Sequence, residues 1–204
     1  MEKGKISFSG IMVALAGVFF IGVGVAFNNC AGLGNDSVGI VYDGIRTSLG
    51  ISQAQLGQVS NAVNGGLLVL LLFTGRKYVS VGTLVYFVPY GMCINIGNKL
   101  YEILVKAEGP GTQIAFSAVG CFLLYLGVAM FITMDIGVDP FTGVVLLLAE
   151  KTEKEFRTVK MIFDFAMIIL GWSLGGRAGM VTIITALTAG PCIQYFAGIL
   201  RKII

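Results

Sequence analysis

Six stretches of this sequence are long and apolar enough to cross a lipid bilayer, and that pattern constrains the fold more than any other feature. They run roughly from Ile6 to Phe27, Leu56 to Phe73, Val79 to Ile96, Gln113 to Thr133, Arg157 to Leu174 and Gly179 to Leu200. Each approaches the length of about 20 residues that a helix needs to traverse a ~30 Å hydrocarbon core. Inside that core every backbone N–H and C=O must be paired within the chain, so helices are the expected structure. Composition agrees. Hydrophobic residues make up 56 % of the chain and charged residues 12 %, against about 25 % charged in an average soluble domain. The expected class is an all-α, polytopic membrane protein whose main surroundings are the lipid bilayer. The apolar stretch behind the charged start, Met1 to Lys5, reads as a spanning segment and not as a cleaved leader.

Two shorter segments, about Ser37 to Ser48 and Pro140 to Glu150, lie after the first and fourth spans. At about a dozen residues each would reach only ~18 Å as a helix, short of the hydrocarbon thickness. Both open with helix-start chemistry: Asp36 precedes Ser37, and Asp139 is followed by Pro140. The chain also repeats itself. Gly24 to Ser37 lies over Gly127 to Pro140 at an offset of 103 residues, which sets Gly34 on Gly137 and Asp36 on Asp139. Thr83 to Asn95 lies over Thr182 to Gln194 at an offset of 99, which sets Gly91 on Gly190 and Cys93 on Cys192. The expected organisation is a first transmembrane repeat over 1–98, a loop over 99–112 and a second repeat over 113–204. Each repeat holds three spans and one short helix.

Three spans per repeat would invert the second copy relative to the first, a common transporter plan. The positive charges agree. With the N-terminus cytoplasmic and the short helices re-entrant, Lys3, Lys5, Arg76, Lys77, Lys151, Lys154, Arg157, Lys160, Arg201 and Lys202 fall inside; Arg46, Lys99, Lys106 and Arg177 fall outside. If both short helices cross instead, giving eight spans and parallel repeats, Arg46, Lys99 and Lys106 move inside while Arg76 and Lys77 move outside. Charge alone does not separate these readings, but helix length favours six spans with both termini cytoplasmic.

Interrupted helices at matching positions of two halves are the best sequence pointer to a transport site. Asp36 and Asp139, with Asn35 beside the first, are therefore candidates for substrate or proton handling, although capping alone explains a carboxylate there. Asp164 sits in the middle of its span, where an ionisable group is costly and a functional candidate by default. Its approximate counterpart in the first half is Asn64. Thr83 and Thr182 offer further polar lining, while Asn28 and Asn29 read as loop caps at the end of the first span.

Several classes are not expected. The chain contains no histidine and no CxxC spacing among its four cysteines, so neither a zinc site nor His-dependent catalysis is expected. No other metal or cofactor is implied. A net charge of +3 without basic clusters points to no nucleic-acid partner.

Gly171-Trp172-Ser173-Leu174-Gly175-Gly176, continuing through Thr182 to Gly190-Pro191, resembles the second half of YczE/YitT-type bacterial membrane proteins. Gly32-Leu33-Gly34-Asn35-Asp36 is similar to the glycine-rich motif of their first half. The resemblance implies a protein of the bacterial cytoplasmic membrane and a permease, without naming a substrate. Together the residues and the resemblance suggest a small secondary transporter or exporter for a neutral or cationic metabolite, bound where the repeats meet. The alternatives are a passive channel or facilitator, and a non-transporting accessory or substrate-binding subunit. An enzyme is not expected, because three scattered carboxylates make no recognisable catalytic group. A homodimer is one assembly open to such a chain.

Overall fold

The computed structural model describes residues 7–107 and 109–203; Lys3, Lys5 and Ile6, read above as the cytoplasmic flank and start of the first span, lie outside the described residues. Among the described residues the ordered elements are all helical: α1 (Phe8–Ala31), α2 (Ser37–Ser48), α3 (Leu56–Thr74), α4 (Val81–Leu104), α5 (Pro110–Thr133), α6 (Pro140–Thr152), α7 (Phe156–Ser173) and α8 (Met180–Ile203), with single 3₁₀ turns on either side of α3. Four are long and apolar enough to cross a membrane: α1, α3 with its leading turn, α5 and α8. The sequence suggested six. Helix α4 matches α1 in length at 24 residues, but Pro89, Asn95, Asn98 and several tyrosines dilute its apolar character. Helix α7 has 18 residues and carries Arg157, Lys160 and Asp164.

Helix α4 also runs past its expected end at Ile96 to Leu104, narrowing the loop expected from Lys99 to Gly111. The reason is packing. Tyr101 is buried against Phe27 and Phe116, with ring centroids 6.0 and 5.0 Å apart, and this holds a charged-looking segment in the helix. Helix α5 then starts at Pro110, where a missing N–H does no harm.

Helix α1 is the centre of the molecule, wedged between α4 and α5. Small residues set these approaches. A Cβ on Gly24 would lie 2.6 Å from the carbonyl oxygen of Gly120, and one on Gly17 2.7 Å from that of Gly127, so α1 and α5 cross antiparallel with their backbones nearly touching. On the α4 side, a Cβ on Gly97 would lie 2.6 Å from that of Ala26. Lipid offers no hydrophobic drive between helices, so such close van der Waals contact is what holds them.

The outer helices are not arranged evenly. Helix α3 packs along α4 through Gly57 and Gly91; the amide of Gly57 donates to Asn95 Oδ1 at 3.1 Å and that of Gly91 to Asn61 Oδ1 at 2.9 Å. Helices α7 and α8 scarcely meet. Gly190 and Gly198 of α8 face open space, and a Cβ added to either would meet nothing within 4 Å. Gly91→Val should therefore overpack a closed seam at about 1–3 kcal/mol, lowering the detergent-phase thermal midpoint by roughly 3–10 °C. Gly190→Val should stay within about 0.5 kcal/mol of the wild type. Equal shifts for the two variants would refute this account of the seams.

Candidate functional site

The site begins with two breaks in helical structure. Gly34 and Gly137 adopt φ of +105° and +141°, a backbone region that suits glycine and few other residues. Each break leaves backbone groups outside the helical ladder, and each is held by another helix. The Val181 amide donates to Leu33 O at 3.0 Å, and the Asn35 amide to Thr182 Oγ1 at 3.2 Å. In the other loop, the Gly82 amide donates to Ile136 O at 3.0 Å, and Thr83 Oγ1 to Val138 O at 2.8 Å. Thr83 and Thr182 are buried, and in this state their hydroxyls fasten the loops. Asn35 is similarly occupied: its Nδ2 donates to Val25 O at 3.1 Å while Oδ1 accepts the Asp36 amide at 3.0 Å.

Behind the loops, Asp36 and Asp139 cap the helices α2 and α6. Asp36 accepts the amides of Val38 and Gly39 at 3.4 and 3.3 Å. Asp139 accepts the Thr142 amide at 3.0 Å and its hydroxyl at 2.5 Å. Both carboxylates remain half-buried. Tyr42, Tyr86 and Tyr90 pack at the meeting point of α2 and α4, with Tyr86 and Tyr90 stacked at 4.7 Å and Tyr42 next to Tyr90 at 6.1 Å. Phe131 and Phe141 enclose them edge-on. Asp36 and Asp139 both lie within electrostatic reach of Tyr42 and Tyr86.

Helix α2 carries this centre to the two remaining candidates. On one side, Ser37 Oγ donates to Asp164 Oδ1 at 2.8 Å. On the other, Asn64 Nδ2 donates to Tyr42 Oη at 2.6 Å and to Ser60 O at 2.9 Å. Asn64 is fully buried, and its Oδ1 has no hydrogen-bond partner among the described residues. Asp164 is not the isolated mid-span charge that the sequence suggested. Lys160, one turn earlier, reaches Asp164 Oδ2 at 2.6 Å, and both residues bear electrostatically on Asp36. Asn28 and Asn29 are likewise not loop caps; both are buried within the last turns of α1, and Asn28 lies against Gly120.

Sequence reasoning missed Tyr42, Tyr90, Ser37, Lys160 and Asp43. The last is buried and holds Arg46 at 2.6 Å while accepting the Arg177 amide at 2.9 Å, tying α2 to the α7–α8 turn. Spacing offered a signal in three cases: Asp43 and Arg46 stand three residues apart, Lys160 and Asp164 four, and Tyr86 and Tyr90 four, all neighbours on a helix surface.

The arrangement presents oxygen acceptors and π faces to the interior, with a single ammonium, Lys160, already engaged. That chemistry suits a donor or a cation. An all-helical chain with membrane-length helices and carboxylates held at helix breaks is an integral membrane protein. The chain belongs to a family of unknown function, DUF6198, whose family model matches residues 8–198. It is 22 % identical over 194 residues to an uncharacterized protein of Haemophilus influenzae, covering 95 % of this chain and 85 % of that protein. It is 28 % identical over 124 residues to the uncharacterized membrane protein YczE of Bacillus subtilis, covering 61 % and 56 %. The resemblance to YczE-type proteins read from the glycine motifs therefore holds. No solved structure matches the chain.

Capping and charge can be separated at Asp139. Asp139→Ala should cost about 1 kcal/mol of stability, whereas Asp139→Asn, an equally good cap, should cost only a few tenths. Thermal unfolding of the purified variants measures both, and equal losses would mean that the charge itself carries the stability.

Proposed function

We propose that this protein is a small permease of the bacterial cytoplasmic membrane, moving a small cationic or neutral metabolite through a site between two inverted repeats. The observation that carries the reading is that the short helices α2 and α6, each opened by an aspartate at a helix break, meet at one tyrosine cluster, with Phe141 of α6 edge-on to Tyr42 of α2. Helix breaks at matching positions of two halves are where secondary transporters hold substrate.

The inverted-repeat course has its own support. The helices of the first repeat have 24, 12, 19 and 24 residues, and those of the second 24, 13, 18 and 24. Helices α1 and α5, which correspond in that order, run antiparallel. The loop bonds also correspond: Leu33 and Asn35 are held from α8, and Ile136 and Val138 from α4. Re-entrant short helices are supported at both ends. Lys77 bonds Glu150, although an eight-span course would put the Arg76–Lys77 turn and the end of α6 on opposite faces. Asn35 reaches Val25, inside the length of α1, while Gln53, beyond α2, is back beside Cys30.

Alternating access then acquires a concrete form. One seam, α3 on α4, is closed, and the corresponding seam between α7 and α8 is parted. In the opposite state α7 closes on α8 over Gly190 while α3 parts from α4. Tyr86 and Tyr90 are stacked and buried at this centre, which favours a carrier over an open channel.

The test begins with a thermal-shift screen of small amines and neutral metabolites on the purified protein, followed by flux of the stabilising compound into liposomes. Asp36→Asn and Asp139→Asn should lower flux at least 10-fold. Gly190→Val should keep the wild-type fold and ligand-dependent shift but block flux, because its side chain would obstruct the closing seam. Undiminished flux in the aspartate variants would sink the site, and undiminished flux in the glycine variant would sink the gate.

A further inference from the structure

The end of α3 and the end of α6 form a second site, separate from the residues of the helix breaks. Thr74, Gly75, Arg76 and Lys77 face Leu147, Glu150 and Lys151 across a cleft of about 530 Å³. Its walls are fixed by a clasp in which Lys77 and Tyr78 both bond Glu150, the tyrosine hydroxyl at 2.7 Å. The bond from Lys77, and after it the one from Tyr78, holds the Glu150 carboxyl below its ordinary range, so it stays ionised and engaged at neutral pH. Arg76 and Lys151 are exposed, and neither has a carboxylate within ion-pair distance among the described residues. The cleft therefore has two uncommitted cations above a floor of Gly75 and Leu147, both buried.

What lies beneath the cleft decides the ligand. Val69, Leu72 and Phe73 share one face of α3 and are 53 %, 45 % and 87 % exposed, and Leu148 of α6 is 38 % exposed. This apolar stripe leads along the exposed face of α3 directly to Thr74 and Arg76. Two cations at the end of an exposed apolar stripe match a molecule with a phosphate at one end and acyl chains at the other. Basic pockets between helix ends on the cytoplasmic side hold lipid head groups in this manner, and Arg suits phosphate through paired N–H donors.

The geometry points to a binding site for an anionic phospholipid, its phosphate between Arg76 and Lys151 and its acyl chains along Val69, Leu72 and Phe73. This site does not depend on the transport reading.

The full-length protein in a neutral detergent tests it. Thermal midpoints are measured with phosphatidylglycerol, with phosphatidylcholine of the same acyl chains, and with inorganic phosphate. Saturating phosphatidylglycerol should raise the midpoint by about 5 °C, and the other two additives by less than a third as much. Arg76→Gln and Lys151→Gln, singly and together, should keep the lipid-free midpoint and lose most of the increment. Lys154→Gln, outside the cleft, should keep all of it. Phe73→Ser should reduce the lipid increment without changing the response to inorganic phosphate. Equal shifts with the two lipids, or a full increment in the Arg76/Lys151 double variant, would overturn the site. An equal shift with inorganic phosphate would overturn the lipid as its occupant.

Discussion

A backbone that leaves the helix between packed helices must find hydrogen bonds from its own chain, and the rest of this structure follows from how it does so. The pairing runs crosswise. The loop between α1 and α2 is held by the first turn of α8, and the loop between α5 and α6 by the first turn of α4. Asp36 and Asp139 then satisfy the leading amides of the short helices. Once those helices are aimed, the other contacts become available: Ser37 meets Asp164, Tyr42 meets Asn64, and the tyrosines of α4 close the centre. The candidate site is thus a by-product of solving a backbone problem, which is why capping and function cannot be assigned to different residues.

The helix breaks were legible in the sequence because their chemistry is local. A glycine two residues before an aspartate, repeated with the same spacing and followed once by proline, reads as loop and cap without tertiary information. Asp164 was legible too, as a charge in an apolar run. Its partner was not taken, because Lys160 reads equally well as a flanking cytoplasmic charge, although its spacing of four residues already sets it beside Asp164 on the helix. The tyrosine cluster was beyond reach for a different reason. Tyr42 and Tyr90 lie on helices whose contact depends on the crosswise loop bonds, and a tyrosine in an apolar helix ordinarily signals packing. The extent of α4 was misjudged on composition, since Lys99 and Glu102 look like loop residues whereas Tyr101 between them is a core residue.

The two outer seams show how similar residue types can pack differently. On α4, Gly91 and Asn95 are met by Gly57 and Asn61, whose amide side chain and close backbone bind the pair. On α8 the matching residues are Gly190 and Gln194, but setting Asn64 over Asp164 puts Arg157 and Met161 where α3 has glycine and asparagine. A methionine offers a flexible, adaptable surface and no amide clasp. On the proposed mechanism, the α7–α8 seam is therefore the one that can part and rejoin readily, while the α3–α4 seam is the more firmly latched.

The crosswise bonds also bear on how the protein is made. Asn35 waits for Thr182, which is 147 residues later in the chain, a delay of roughly 7 to 30 s at the usual ~5–20 residues per second of synthesis. On the proposed re-entrant course, the first helix break has no partner for its backbone throughout that interval and cannot settle in hydrocarbon unaided. The early helices must remain sheltered, in water or within the insertion machinery, until α8 emerges. Assembly is therefore sealed from the C-terminal end, and a chain that stops short of its last helix leaves its first one unfinished.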